Sequence, residues 1–312
     1  MKKTILITGG FGFLGGRLGK YLSTDYNIIL ASRFEKDAPN WLPFSKTVKI
    51  NWENETSLND ACNVADIVIH TSGLDARSCL SNPDRALLVN GKYTQNLVNA
   101  AIKQGVKKFI YLSTAHVYSE NLVGKINENT PPTNSHPYAT SNVIGEEAVL
   151  SAVKKERLEG TVVRISNSFG SPMSKDVNCW KLLINDLSRQ AVVDKSLTLT
   201  GNSSTVRDFV TIRDVCAAIN YLIVNHSRNI VNIGSGQSCT IGEMAIKIQS
   251  NSLCVLGFEP PIIFTQKESI NKNLLDFHTN FLDSVNFKFK NNFDFEIKEL
   301  IDFCSKNYSQ IE

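Results

Sequence analysis

Short apolar runs alternate with amphipathic stretches through the first half of the chain, the rhythm of a parallel sheet wrapped by helices. Strands are predicted at 4–8, 27–31, 66–70, 107–112 and 161–165. Between them lie helical patterns such as "LGGRLGKYLS" and "DRALLVNGKYTQNLVNAAIKQG". The second follows Ser81, Asn82 and Pro83, good residues for entering a helix, and runs out at Gly105. Beyond about residue 166 the rhythm loosens. The pattern there predicts helices near 178–190, 212–224 and 240–249, short strands near 197–199 and 230–233, and a C-terminal segment rich in Phe and Asn. There is no internal repeat and no low-complexity linker. The expected class is α/β, a doubly wound parallel sheet.

Composition narrows the function classes. A chain of 312 residues, 42% hydrophobic and 20% charged, is long enough for one large or two interleaved domains with a substantial core. The formal charge is only +3 and the basic residues are scattered, which leaves no electrostatic footprint for nucleic acid or an anionic membrane surface. The seven cysteines are widely spaced with no Cys-x-x-Cys pair, so neither a disulfide framework nor a metal site is expected, and a reducing cytoplasm is the simplest setting. The opening "MKKTILITGG" has the lysines of a leader, but its apolar run stops at a glycine pair, which predicts a buried strand instead. No apolar stretch approaches a membrane span.

The first chemical signal is "ILITGGFGFLGGRL". Gly9, Gly12 and Gly15 follow a predicted strand and lead into a helix whose first residues include Phe13 and Leu14. Backbone amides can therefore approach a pyrophosphate, and the helix N-terminus can face its charge. The same spacing also serves a tight turn with no ligand, although the strand–turn–helix context favours a dinucleotide. The next strand, "NIILASRF", ends in Ala31, Ser32 and Arg33, where a carboxylate would bind the ribose diol of NAD. Without that carboxylate, and with a planar charged fork at Arg33, NADP is favoured and NAD remains possible. The alternative is that Arg33 only solvates a loop.

Read in order, "TGGFGFLG", "ADIVIHTSG", "VNGKYTQNLVNAA", "KKFIYLSTAHVY", "HPYATSN", "VVRISNSFGSP", "TVRDFVTIRDV" and "VNIGSGQSCTIGEMA" resemble an extended short-chain dehydrogenase/reductase of the nucleotide-sugar epimerase/dehydratase family over almost the whole length. The resemblance implies a Rossmann-type domain over 1–165 plus 203–234, and a smaller substrate-binding domain over 166–202 plus 235–312. It places Thr71 and Ser72 along the cofactor, Asn51 and Trp52 near adenine, and Asn90 on the helix bordering the active site. It also implies a homodimer.

By the same resemblance Tyr138 is the acid/base, with Thr114 sharing the hydrogen bond to the reacting oxygen. The chemistry agrees: moving hydride between a nicotinamide and an alcohol or ketone carbon requires a proton to move at the attached oxygen. Family members carry a lysine four residues after the tyrosine, on the same helix face. This chain has Asn142 there. An ordinary tyrosine has a pKa of about 10, so only about one molecule in a thousand is phenolate at pH 7. Asn142 can donate to the nicotinamide ribose but supplies no charge, and Lys92, two positions after Asn90, points away on a helix. Ketone reduction needs the phenol and alcohol oxidation the phenolate, so a 4-ketoreductase is expected ahead of a C4-type epimerase. A non-catalytic NAD(P)-binding protein is the remaining alternative.

Family dehydratases carry Asp-Glu where this chain has Ala115 and His116, which argues against 4,6-dehydration. His116 either contacts the sugar or is an ordinary packed histidine. In "TVRDFV", Arg207 matches the arginine that meets the diphosphate of a nucleotide sugar, a task suited to a permanently charged fork, and Asn167 is expected in the same region. The competing arrangement for Arg207 is an internal ion pair with Asp208 or Asp214.

Overall fold

In the run Thr4–Thr8, Ile5, Leu6 and Ile7 are fully buried, as required of a strand covered on both faces. The computed structural model, which describes residues 2–225, 228–265 and 274–309, builds around this strand a seven-stranded sheet. The spatial order is Ile230–Ile233, Glu159–Ile165, Lys108–Thr114, Ile67–His70, Thr4–Thr8, Asn27–Ser32 and Lys46–Lys49. From Glu159–Ile165 across to Lys46–Lys49 every pairing is parallel. Strand order reverses on either side of Thr4–Thr8, and such a reversal opens a crevice at the carboxyl ends of the strands. The register Thr8↔His70 sets the residues that follow, Gly9 and Thr71, side by side at that edge.

The five strands predicted in the first half are all present. Lys46–Lys49 was not anticipated: its four residues, "KTVK", carry a lysine at each end, and it is the edge of the sheet. The long helix predicted after Pro83 also differs. Asn82 caps it through its side chain and Pro83 holds the first turn, but Leu87–Lys92 forms a π-helical turn before the α-helix Tyr93–Lys103. Thr94 Oγ1 donates to the Asn90 carbonyl at 2.7 Å where the turn widens. The helix predicted at 178–190 begins later, at Leu183, and the one predicted at 240–249 runs from Ile241 to Leu256, started by a Thr240/Glu243 capping box and stopped at left-handed Gly257. Among the described residues no helix is long and apolar enough to cross a membrane.

Residues 1–121, 128–165 and 219–232 form one compact unit. Its core includes Leu6, Val68, Phe109, Val149 and Val162. Buried Lys108 places its ammonium on the carbonyls of Leu222, Ile223 and Asn225 at 2.9, 3.1 and 3.0 Å, satisfying the end of the helix Ile212–Val224. Glu159 pairs with the same ammonium at 2.9 Å.

Residues 122–127, 166–218 and 233–312 form the second unit. Its core packs Ile184, Leu187, Met244, Ile248, Ile297 and Leu300 from three helices. A small sheet joins Asn167–Phe169, Val206–Thr211 and Ser238–Thr240. Within it, fully buried Asp208 accepts from Ser166 Oγ at 2.5 Å, from the Ser235 amide at 3.0 Å and from Ser235 Oγ at 2.8 Å. Burial pushes this carboxyl up to about 6, against the pull of those hydrogen bonds. A carboxyl pKa raised on folding adds stability that is present below the unfolded value and lost as pH rises through the folded one. Wild type is therefore expected to lose about 3 kcal/mol relative to Asp208→Asn between about pH 4 and pH 7. Urea unfolding of both proteins across that range checks it, and parallel profiles would contradict it.

Candidate active site

The turn after Thr4–Thr8 is built for close approach. Gly9 has φ +66°, and a Cβ there would lie 2.7 Å from Thr71 Oγ1 and 3.1 Å from both Ser72 N and Ser72 Oγ. A Cβ on Gly15 would run into the Gly9 carbonyl. Gly12 donates its amide to Gly9 O at 2.8 Å and then caps the helix Phe13–Leu22 without any side-chain hydrogen bond. The first amides of that helix thus have no capping side chain, the condition under which a helix N-terminus takes an anion. The cradle fits a dinucleotide pyrophosphate, and the structure brings Thr71 and Ser72 against Gly9. Thr71 is fixed by donating Oγ1 to Thr8 O at 2.6 Å.

At the end of Asn27–Ser32, Ser32 Oγ accepts from the Phe34 amide at 3.1 Å, and Arg33 is exposed, 5.7 Å over the Phe34 ring. Sequence reasoning missed Lys36, whose ammonium lies 4.7 Å over the ring of Phe11 in the glycine turn. Asn51 is exposed, its side chain holding the Glu53 amide at 3.1 Å. Half-buried Trp52 stacks on Tyr93 with centroids 5.9 Å apart and tilts against His70 at 5.7 Å.

His136 and Pro137 start the helix Pro137–Lys154, His136 by accepting the Tyr138 amide on Nδ1 at 3.1 Å. This places Tyr138 in the first turn. Burial pushes its phenol above the ordinary value, a hydrogen bond with the Thr114 side chain pulls it partly back, and Cys79 and Asp75 push it up further. The phenol is therefore the resting form at neutral pH. Thr114 also accepts the His116 amide at 3.2 Å, and the His116 carbonyl accepts from Asn134 Nδ2 at 2.7 Å, so half-buried His116 sits in a fixed turn. Asn142 is buried. Its Nδ2 donates to the Tyr138 carbonyl at 2.7 Å and its Oδ1 accepts from the Tyr111 hydroxyl at 3.0 Å. Lys92 is exposed and bonds Gln95 at 3.2 Å, away from Tyr138. Asn90 acts as a strut: Oδ1 accepts the Leu74 amide at 2.8 Å, and Nδ2 donates to Ser141 Oγ at 3.0 Å and Cys79 Sγ at 3.5 Å.

What holds Tyr138 opposite Thr114 is a group of residues that the motifs did not single out. Glu146, two helical turns beyond Tyr138, accepts from Ser113 Oγ at 2.5 Å and from Arg164 Nε at 3.0 and 3.2 Å. Both ions are almost fully buried. Burial acts to lower the Arg164 pKa, but Glu146 outweighs it and the net direction is up. The guanidinium also lies 4.8 Å over the Tyr118 ring. One signal was present in the sequence: a charged residue inside each of two elements that otherwise read as buried.

In the second unit, Asn167 donates Nδ2 to the Asp208 carbonyl at 2.8 Å. Half-buried Arg207 forms no ion pair among the described residues, and burial alone lowers its pKa. The two carboxylates that might have neutralised it are committed elsewhere: Asp208 to Ser166 and Ser235, Asp214 to Thr211 and the amides of Lys290 and Asn291.

A family model described as NAD dependent epimerase/dehydratase matches residues 5–234. A putative UDP-glucose 4-epimerase of Methanocaldococcus jannaschii is 27% identical over 246 residues, spanning 77% of this chain and 79% of that protein. The structure of a UDP-N-acetylglucosamine 4-epimerase from Methanobrevibacter ruminantium, in complex with UDP-N-acetylmuramic acid, is similar with a TM-score of 0.82 at 21% identity, covering 97% of this chain and 98% of that one. RMD from Pseudomonas aeruginosa complexed with NADPH is similar with a TM-score of 0.78 at 21% identity, covering 98% and 99%. At those identities the structural likeness speaks for the fold.

Removing one partner of a buried ion pair leaves an uncompensated charge in the interior. Glu146→Gln and Arg164→Met are each expected to lower stability by about 3–5 kcal/mol in urea unfolding at neutral pH. Losses below about 1 kcal/mol would show that the pair does not secure the Tyr138 helix.

Proposed function

Because the chain belongs to the NAD-dependent epimerase/dehydratase family, of the extended short-chain dehydrogenase/reductase type, we propose that it is a nucleotide-sugar 4-ketoreductase that uses NADP, with NAD as a possible substitute. The bound dinucleotide supplies the hydride for a sugar carbonyl carbon. Gly9, Gly12, Phe13, Leu14 and Gly15 would hold its pyrophosphate, Thr71 and Ser72 its middle, and Asn51 and Trp52 its adenine. Ser32 and Arg33 would take the ribose phosphate, and Asn142 the nicotinamide ribose. Asn90 borders this site as a strut. On the substrate side the proposal assigns Arg207 and Asn167 to the diphosphate of a nucleotide sugar and His116 to the sugar. A half-buried guanidinium with no ion pair among the described residues is a site for an anion that arrives from outside.

One observation carries the direction of turnover: Tyr138 is joined to Thr114 while burial keeps its phenol protonated, with no cation on its helix face to oppose this. In reduction, Tyr138 would give its phenolic proton to the carbonyl oxygen. Thr114 steadies that oxygen, and Tyr138 is left as phenolate to be reprotonated from solvent. Oxidation, and epimerisation that begins with it, must start from the scarce phenolate. A C4-type epimerase is the second reading, supported by the relatives named above. A homodimer through the face that exposes Leu87, Leu88 and Ile144, working in a reducing cytoplasm compatible with seven free cysteines, completes the proposal.

Transfer of label from deuterated NADPH into a panel of 4-keto nucleotide sugars tests the reading. Wild type is expected to transfer label and Tyr138→Phe to be slower by about 100-fold or more. No transfer by either protein would leave a non-catalytic binder. Reduction is expected to be flat near neutral pH, while oxidation rises about tenfold per pH unit up to and beyond about pH 10, because the required base form lies above the raised phenol pKa. An oxidation rate that levels off near neutrality would contradict the assignment.

The cofactor assignment has its own check in fluorescence titration. Arg33→Ala is expected to weaken NADPH about tenfold and to leave NADH within about twofold. Equal effects on the two would remove the case for NADP.

A further inference from the structure

Two buried groups of the first unit take no part in the proton transfer assigned to Tyr138: the imidazole of His70 and the phenol of Tyr111. Burial lowers His70 to about 3, so it is neutral, with one ring nitrogen donating and the other accepting. Its Nε2 lies 2.9 Å from Thr94 Oγ1 and its Nδ1 lies 2.6 Å from Thr8 Oγ1. Thr94 has already given its one hydrogen to the Asn90 carbonyl. Nε2 is therefore the donor, and Thr8 donates to Nδ1. The locked ring stacks on Tyr111, with centroids 5.6 Å apart and planes 27° from parallel.

The Tyr111 hydroxyl is wedged against the Pro137–Lys154 helix at Gly145, where a Cβ would come within 2.5 Å of it. Its partner there is Asn142. The Tyr138 carbonyl only accepts, so it selects the Nδ2 end of the Asn142 amide, and Oδ1 must face Tyr111. Burial raises the Tyr111 pKa far above the ordinary range, which makes its hydroxyl a constant donor. The amide is pinned at both ends. Nδ2 carries two hydrogens and the Tyr138 carbonyl uses one.

We propose that Tyr111 is a positioning residue for the cofactor: by fixing the Asn142 amide it presents the second Nδ2 hydrogen as an oriented donor to a hydroxyl of the nicotinamide ribose. The arrangement substitutes an oriented neutral hydrogen bond for the charge of an ammonium. The inference rests on the reading of Asn142 given under the proposed function.

Equilibrium titrations with NADP+ and NAD+ test it, alongside adenosine 2′,5′-bisphosphate and ADP, which lack the nicotinamide ribose. Tyr111→Phe is expected to weaken the preferred dinucleotide about three- to tenfold and leave the two short probes unchanged. Asn142→Ala should have a similar effect, and the double variant should be no weaker than Asn142→Ala, since the two residues act through one hydrogen bond. Asn142→Asp, which keeps the acceptor for Tyr111 and loses the donor, should also weaken only the dinucleotide, and it carries the test if Tyr111→Phe does not fold. Dinucleotide affinity unchanged in Tyr111→Phe, or in Asn142→Asp, would overturn the proposal. Equal weakening of dinucleotide and short probes would also overturn it, because that is the mark of a merely structural role. A wild type that binds the short probes but gains nothing from the nicotinamide half overturns the inference and spares the cradle. A wild type that binds none of the four ligands overturns the cofactor reading, and the inference with it.

Discussion

A carboxylate and a guanidinium enclosed in protein must satisfy one another, and the pair Glu146–Arg164 ties the helix that carries Tyr138 to the sheet. Glu146 rides on the same helix as Tyr138, Arg164 stands on the strand Glu159–Ile165, and Ser113 joins them from the neighbouring strand Lys108–Thr114, directly before Thr114. Sliding the helix by one residue would strand two buried charges, a penalty far larger than the net value of an ordinary hydrogen bond. The Tyr138–Thr114 contact is therefore fixed from below, by buried groups bonded to one another. The Asn90 strut acts in a similar way from the π-turn, bonding Leu74 ahead of it and Ser141 on the helix.

The chemical character of the site follows from what is missing beside the tyrosine as much as from what is present. With Asn142 four residues on, the helix face that carries Tyr138 offers it no cation, and desolvation is the main influence on its ionisation. On the second unit, Arg207 forms no ion pair among the described residues, and burial works against its charge.

Local features of the sequence were legible because local rules govern them. The glycine turn, the five apolar strands and the cap at Asn82 are set by residues a few positions apart, and the structure has them. Lys46–Lys49 escaped because four residues with charged ends carry no apolar pattern. The π-turn escaped because "LLVNGK" reads as ordinary helix until Thr94 bonds the Asn90 carbonyl. The roles of Tyr111, Glu146 and Arg164 were hidden for another reason: each is defined by a partner 18 to 33 residues away, brought near only when the sheet forms. Arg207 shows the converse. Its candidate partners were visible in the sequence, and only the structure shows that both are engaged elsewhere.

The two lysines that bracket the edge strand have an effect beyond this chain. A parallel sheet that ends in an open row of amides and carbonyls is a template for a stray strand from a second molecule. Lys46 and Lys49 are exposed at the ends of a strand only four residues long. An incoming strand would have to lie along a short ladder with an ammonium at either end, so edge-to-edge aggregation is discouraged at this edge of the sheet.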